Sequence, residues 1–429
     1  MASFSFSAGN AGKIVRIPLY AAGRLVTLLV PRSDDEWVFG CGAGIGDGAL
    51  ALWRVAAAGG HAAVWLTGSD DEATDAAALG IPSVPKHSIR GFWRTARARV
   101  VVVTHGFGDA NRYAISGAFV VQLWHGIPLK RIGLDSPATV RSGILPSSRI
   151  VRRLLAAMYR GAAQSIDVLP AASHLVRGRL ESAFGISDAQ VPVTGEPRVD
   201  VLSQGRPDER RARARAAIAD LVGDIGEARL VLYAPTWRDG APDPAVPTED
   251  EWRALTVALE AGEAVLLVRS HPLGAGDYDV PFETDRVRGL GSALVRDVTP
   301  LLPGIDALVT DYSSLVFDTA LVPVPVVFLA PDVGAYGRER GFYGRYADVA
   351  GTDVASTWAE AIRQLSALFD DPEERERRLV RARELDAQVH AFADGRNTVR
   401  VYHAILAGLA RRVPAVSSTA VVPLAEGAS

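Results

Sequence analysis

Two histidines, His125 and His271, each stand just after an apolar run and just before a residue that stiffens a turn, Gly126 and Pro272. Imidazole titrates near neutral pH, so either ring can take a proton from an attacking hydroxyl or support a departing phosphate. Arginines occupy similar places: Arg198 in GEPRVD, and Arg269 beside Ser270 in RSHP. A guanidinium offers paired donors to phosphate oxygens, which an ammonium cannot. Ser313 and Ser314, in TDYSSLVFD, stand where a helix running through Leu321 should begin. Serine favours the N-cap, and the free N–H groups there make a phosphate seat at the positive end of the helix dipole. Asp318 falls on the same face of that helix as Ser314. A carboxylate repels phosphate, so Asp318 is expected to meet a ligand hydroxyl or an arginine. In YAPTWRD, Thr236 and Trp237 offer a hydroxyl and a flat wall for a base or ribose, and Trp237 suits a domain core equally well. Lys130, expected on the acceptor side, and Arg238 are weaker candidates, because solvated cations are common at strand ends.

The stretch from Gly40 to Gly48 holds five glycines after the run WVFG. Its spacing, GxGxGxG, departs from the dinucleotide fingerprint GxGxxG, and no acidic residue closes a clear second strand. It reads as a backbone-lined acceptor pocket with Asp47 as a contact, or as a tight turn without a ligand. Asp70-Asp71-Glu72 reads as a solvated helix start. No carboxylate cluster is dedicated to a metal, so transfer without a metal or other cofactor is expected.

Buried parallel strands must position these residues. WVFG, AAVWL, RVVVV, AFVVQLW, SIDVLP and QVPVTG are short, β-branched and bounded by turn residues. Helical stretches such as Gly48 to Ala58 and Ser147 to Gln164 separate them. Near Asp200 the composition turns polar and basic, and the pattern restarts with RLVLYAP, AVLLVRS, a weaker SALVRD, DALVT and VPVVFLA. Such alternation predicts two α/β doubly wound domains facing each other across a cleft. The expected division is an amphipathic segment over 1–34, an acceptor domain over 35–200, a donor domain over 201–412 and a flexible tail over 413–429. The polar clusters all follow carboxyl ends of predicted strands, where open α/β sheets bind ligands.

Composition agrees. A chain of 429 residues with 48% hydrophobic and 22% charged content has material for two cores. A net charge of −3 gives no general attraction to nucleic acid. The single cysteine, Cys41, excludes an internal disulfide and fits a reducing compartment. The stretch from Ile14 to Val30 is broken by Arg16, Pro18 and Arg24 and is too interrupted to span a bilayer. The start has no secretory-signal pattern, so a cytoplasmic protein is expected. In the helix predicted from Ser147 to Gln164, Ile150, Val151, Leu154, Leu155 and Met158 share a side opposite Arg149, Arg152, Arg153 and Arg160. That arrangement suits a helix lying on an anionic membrane, although any core-facing helix has an apolar stripe.

QLWHGIPLKRIGLD, GEPRVD, YAPTWRD, RSHP, TDYSSLVFD, GFYGRY and DGRNTVR together resemble the CDP-glycerol glycerophosphotransferase family, the primases and polymerases of teichoic acids and related capsule polymers. The resemblance runs in order over roughly residues 35 to 405. It implies the GT-B fold, a CDP-glycerol or other CDP-polyol donor, a lipid-linked or polymer acceptor, release of CMP, and attachment to the inner membrane face. It also implies His125 as the base and His271 as support for the transferring phosphate or departing CMP. Gly126, Ile127, Pro128, Leu129, Arg198, Thr236, Trp237, Arg269, Ser270, Ser313, Ser314 and Asp318 match the family's donor-binding positions. Ile127 stands where the family usually has threonine. The alternatives are a GT-B glycosyltransferase using a UDP- or GDP-sugar, a nucleotide-sugar epimerase, and an inactive module that binds an anionic polymer.

Overall fold

Each half of the chain builds a five-stranded, wholly parallel sheet. In the first half these are β1 (Glu36–Phe39), β2 (Ala62–Thr67), β3 (Ser83–Pro85), β4 (Val100–Val103) and β5 (Phe119–Gln122), in the spatial order 3-2-1-4-5. In the second half they are β6 (Arg229–Ala234), β7 (Ala264–Val268), β8 (Val287–Gly289), β9 (Ala307–Thr310) and β10 (Val326–Phe328), in the order 10-9-6-7-8. These come from a computed structural model that describes residues 17–136, 139, 148–236, 238, 243–270 and 278–412. Both sheets wind outward in two directions from their first strand, which is the GT-B pair of Rossmann-like domains. The switch points lie between β1 and β4 and between β6 and β9, where parallel sheets open a crevice for ligands.

The strands read as unbroken apolar runs because both sheet faces are covered. Trp37 and Phe39 of β1 pack on one side with Leu52, and Val38 packs on the other with Leu66 and Val101. In the second sheet Tyr233 and Leu266 meet Trp252 and Trp358, while Leu230 and Leu232 face a cluster that continues into Trp124, Ile127 and Leu129 of the first half. That continuous apolar cluster joins the two domains.

Three strand expectations change. SALVRD forms no strand, and the place beside β7 is taken by β8. SIDVLP and QVPVTG supply only single bridges, Val121 to Val168 and Ala171 to Val193. Pro170 and Pro192 lack the N–H a longer ladder needs. The short edge strand β3 had no signal strong enough to announce it.

The last helix, Asn397–Arg412, returns to the first sheet, where Val401, Ile405 and Leu409 complete the core around Trp37. A division of the chain at residue 200 puts this helix with the other domain. Its start is held by buried Asp200, which accepts from the backbone N–H of Asn397 at 2.9 Å and Thr398 at 2.8 Å, and from the Thr398 hydroxyl at 2.6 Å. Gly195 must be glycine, since its φ is +76° and a Cβ would stand 2.1 Å from Asn397 Oδ1. GEPRVD and DGRNTVR are thus two sides of one joint. Asp200→Ala is expected to cost about 2–4 kcal/mol in urea denaturation, because it strips a charged acceptor from three buried donors. An unchanged midpoint would refute the joint.

Candidate active site

The first domain delivers His125 on a turn beyond β5. Trp124 adopts a left-handed φ of 64°, and the Gln122 side chain donates to the Thr104 carbonyl at 2.7 Å, tying this turn to the end of β4. The His125 ring stacks on His105, with centroids 4.4 Å apart, and packs at a tilt on Trp124. Among the described residues its buried Nδ1 has no well-formed hydrogen bond, while the Thr104 backbone lies close enough to favour the charged ring. Burial first, then His105 and Arg198, outweigh that contact and hold the His125 pKa well below the usual imidazole value. The ring is therefore neutral, the form a general base requires.

The second domain brings the end of β9 opposite. Asp311 accepts from the N–H groups of Thr236 at 2.8 Å and Tyr312 at 2.6 Å, aligning the ends of β6 and β9. Ser314 caps the short buried helix Leu315–Ala320 with its backbone, and its hydroxyl makes no capping bond; Ser313 Oγ accepts from the Leu315 N–H at 3.3 Å. Among the described residues, buried Thr236 Oγ1 has no hydrogen-bond partner. Arg198, Arg269, Ser270, Ser313, Ser314 and Asp318 line a pocket of about 200 Å³. The two domains meet where Gly126, at φ +129°, leaves room for Ser314: a Cβ on Gly126 would sit 3.0 Å from the serine oxygen and 3.8 Å from the Arg198 guanidinium. The histidine turn and the serine turn are thereby in contact across the cleft.

Arg198 stands at the centre. It donates to Asp318 at 2.6 Å and to Thr299 Oγ1 at 3.3 Å, and its Nε lies 3.4 Å from Asp47. Burial opposes the charge on Arg198, but Asp318 and Asp47 more than offset it and raise the pKa. The acids near this single cation feel the opposite strain. Burial raises Asp47 to about 6 and Glu196 to about 7 against the pull of Arg198. Glu196 is buried with Oε2 unpaired.

The remaining sequence candidates divide. Asp318 meets an arginine, one of its two expected partners. Arg269, expected on phosphate, donates instead to the carbonyls of Val295 at 2.8 Å and Arg296 at 3.2 Å, shaping the pocket wall. Ile127 and Leu129 turn their side chains into the core, at 0% and 2% exposure, so they anchor the turn from behind. Pro128 is buried and its carbonyl accepts from Arg179 at 2.9 Å. Lys130 pairs with Phe342 in a β-bridge and donates to the Tyr336 hydroxyl at 3.3 Å, so it belongs to a seam between the domains. Asp47 faces Arg198 rather than an open pocket. Arg238 is buried between Asp311 and Asp332 beneath Tyr312 and Tyr336. His271 and Trp237 lie outside the described residues. Among the described residues, no three His, Cys, Asp or Glu side chains are grouped to hold a metal ion. His105 went unnoticed in the sequence, although it follows RVVVV as His125 follows its own strand.

A sequence model of the family described as CDP-Glycerol:Poly(glycerophosphate) glycerophosphotransferase matches residues 42–407. The teichoic acid glycerol-phosphate transferase of Staphylococcus aureus is 30% identical over 274 residues, 62% of this chain and 66% of that protein. The teichoic acid poly(glycerol phosphate) polymerase of Bacillus subtilis is 27% identical over 67% of this chain and 38% of its own length. The chain thus spans less than two thirds of these curated relatives. In three dimensions the wall teichoic acid polymerase TagF aligns over 94% of this chain and 96% of that chain, with TM-score 0.75 and 19% identity, a likeness of fold.

The buried acid at this centre makes stability depend on pH. Glu196 is raised to about 7, whereas an unfolded glutamate titrates near ~4.3. Between these values the folded chain binds the extra proton, so the contribution is full below the lower value and is lost as pH rises through the upper. Glu196→Gln should therefore flatten the fall in melting temperature from pH 5 to 8 and be the more stable protein at pH 8. Equal slopes for the two proteins would refute the assignment.

Proposed function

Because the chain belongs to the CDP-glycerol:poly(glycerophosphate) glycerophosphotransferase family, we propose that it transfers glycerol phosphate, or a related polyol phosphate, from a CDP-linked donor to a hydroxyl of a teichoic-acid-like or capsular polymer. The observation that carries this reading is the contact of the His125–Gly126 turn with Ser314 across the cleft, beside Arg198. In the reaction the acceptor oxygen bonds to the β-phosphorus, the bridging oxygen leaves with CMP, and His125 takes the hydroxyl proton. The backbone at Ser313 and Ser314 and the buried Thr236 hydroxyl supply donors for the donor molecule. Arg198 engages Asp318 and Thr299 and has further guanidinium donors with which to meet developing phosphate charge. The role of His271 at the departing CMP rests on the sequence resemblance. Positioning and fixed charge then supply most of the rate, as in phosphoryl transfer generally.

His125→Ala is expected to reduce CMP release from CDP-glycerol by at least about 100-fold with the fold intact. Turnover near wild type would sink the base assignment. Chelation by EDTA should leave most of the activity, since Arg198 and backbone donors meet the phosphate charge. Complete loss that Mg²⁺ restores would overturn metal-independent transfer.

The acceptor we propose is lipid-linked, and the docking surface the helix Arg149–Ala163. Leu155 and Tyr159 face inward, which departs from the apolar side read from the sequence, and Ile150, Leu154 and Met158 remain exposed at 80%, 60% and 48%. Arg149, Arg152, Arg153 and Arg160 are exposed beside them. No helix among the described residues is long and apolar enough to cross a membrane. An exposed apolar row flanked by arginines suits peripheral contact with an anionic surface, here the inner membrane face. Replacing the four arginines by glutamine should lower sedimentation with anionic vesicles and spare activity on a soluble acceptor. Equal binding by wild type and variant would make this an ordinary domain helix.

A further inference from the structure

His105 lies flat on His125, with ring planes 5° from parallel. Its own position is fixed from three sides. Nδ1 is 2.7 Å from Thr104 Oγ1, and the backbone N–H donates to Asp109 Oδ2 at 2.6 Å. Gly42 packs directly against the ring, where a Cβ would stand 2.7 Å from the imidazole. Asp109 is buried and also accepts from the Thr104 N–H at 3.0 Å, while the Thr104 hydroxyl accepts from the Gly42 N–H at 3.4 Å. A buried carboxylate, a threonine and a glycine therefore lock one imidazole that stacks on the proposed base.

We infer that His105 is a positioning residue for His125, fixing the plane of that ring. The inference rests on the transfer reading above, in which His125 accepts the proton. Two stacked imidazoles titrate as a pair, since a proton on one disfavours a proton on the other. The charged groups facing the pair are Arg198, which disfavours protonation of both rings, and Asp109, which favours it on His105. Burial is the largest influence on each ring and holds His105 down to about 4. His125 is accordingly neutral and aligned before substrate arrives, so no reorientation of the base precedes proton transfer.

Two variants separate alignment from folding. His105→Ala should lower kcat roughly 10- to 100-fold, with KM for CDP-glycerol changed by no more than about twofold. His105→Phe keeps a flat ring in the stack and should recover most of that loss. By ¹⁵N NMR of the imidazoles, His125 in His105→Phe should titrate at higher pH than in wild type, because the like charge is gone. A wild-type kcat in His105→Ala, no recovery in His105→Phe, or an unmoved His125 titration would each overturn the inference. Failure of wild-type protein to release CMP from CDP-glycerol would instead defeat the transfer reading, and the titration would still decide the coupling of the two rings.

Discussion

The Arg198 guanidinium, held between Asp318 of the second domain and Asp47 of the first, is the interaction on which the arrangement of the cleft depends. Burying one charge costs several kcal/mol unless partners are in place, and removing one partner leaves the rest exposed to that cost. Here Arg198 is short of partners for its neighbours rather than the reverse. Asp47, Asp318 and Glu196 lie around one cation, and burial first, then the neighbouring acids, raises the affinity of Asp47 and Glu196 for protons against the pull of Arg198. A donor phosphate in the pocket would draw on the same guanidinium donors. Interdomain contact and proton uptake therefore share one group, on which the proposed binding of a donor phosphate would also draw.

Around that centre the two domains are stitched by backbone as well as charge. Arg131 N–H donates to the Gly341 carbonyl at 3.0 Å, and the Tyr343 N–H returns to the Leu129 carbonyl at 3.0 Å. The Tyr343 hydroxyl reaches Asp135 at 2.7 Å. These contacts give QLWHGIPLKRIGLD and GFYGRY a common purpose: the first motif carries His125 at one end and a docking edge at the other. The Asp200 joint at the last helix does the same for GEPRVD, which carries Arg198. His125 and Arg198 are thus each delivered by a segment whose far end is fastened to a different part of the chain.

The strands were legible because burial on both faces writes itself into composition as unbroken Val, Leu and aromatic runs, as in RVVVV and RLVLYAP. Placing polar clusters at strand ends followed from the parallel topology, which opens its crevice there. SALVRD failed because a run of suitable residues says nothing of its pairing partner, and β8 takes the position beside β7. His105 was missed because a lone histidine has no sequence mark that distinguishes a stacked neighbour of the base from a solvated loop residue.

By itself the sequence determined that this chain makes two parallel α/β domains and that His125, Ser313 and Ser314 follow the ends of strands, since local propensity and periodic burial are properties of adjacent residues. Only the tertiary structure decided which partners those residues meet. Arg269 and Arg198 look alike as strand-end arginines, yet one closes on the carbonyls of residues 295 and 296 and the other on carboxylates from both domains. Gly126 and Ile127 are neighbours in one motif, yet one touches Ser314 and the other is fully buried. The physical reason is that a buried donor takes whatever acceptor the packing brings within about 3 Å, and that proximity is set by segments distant in the chain.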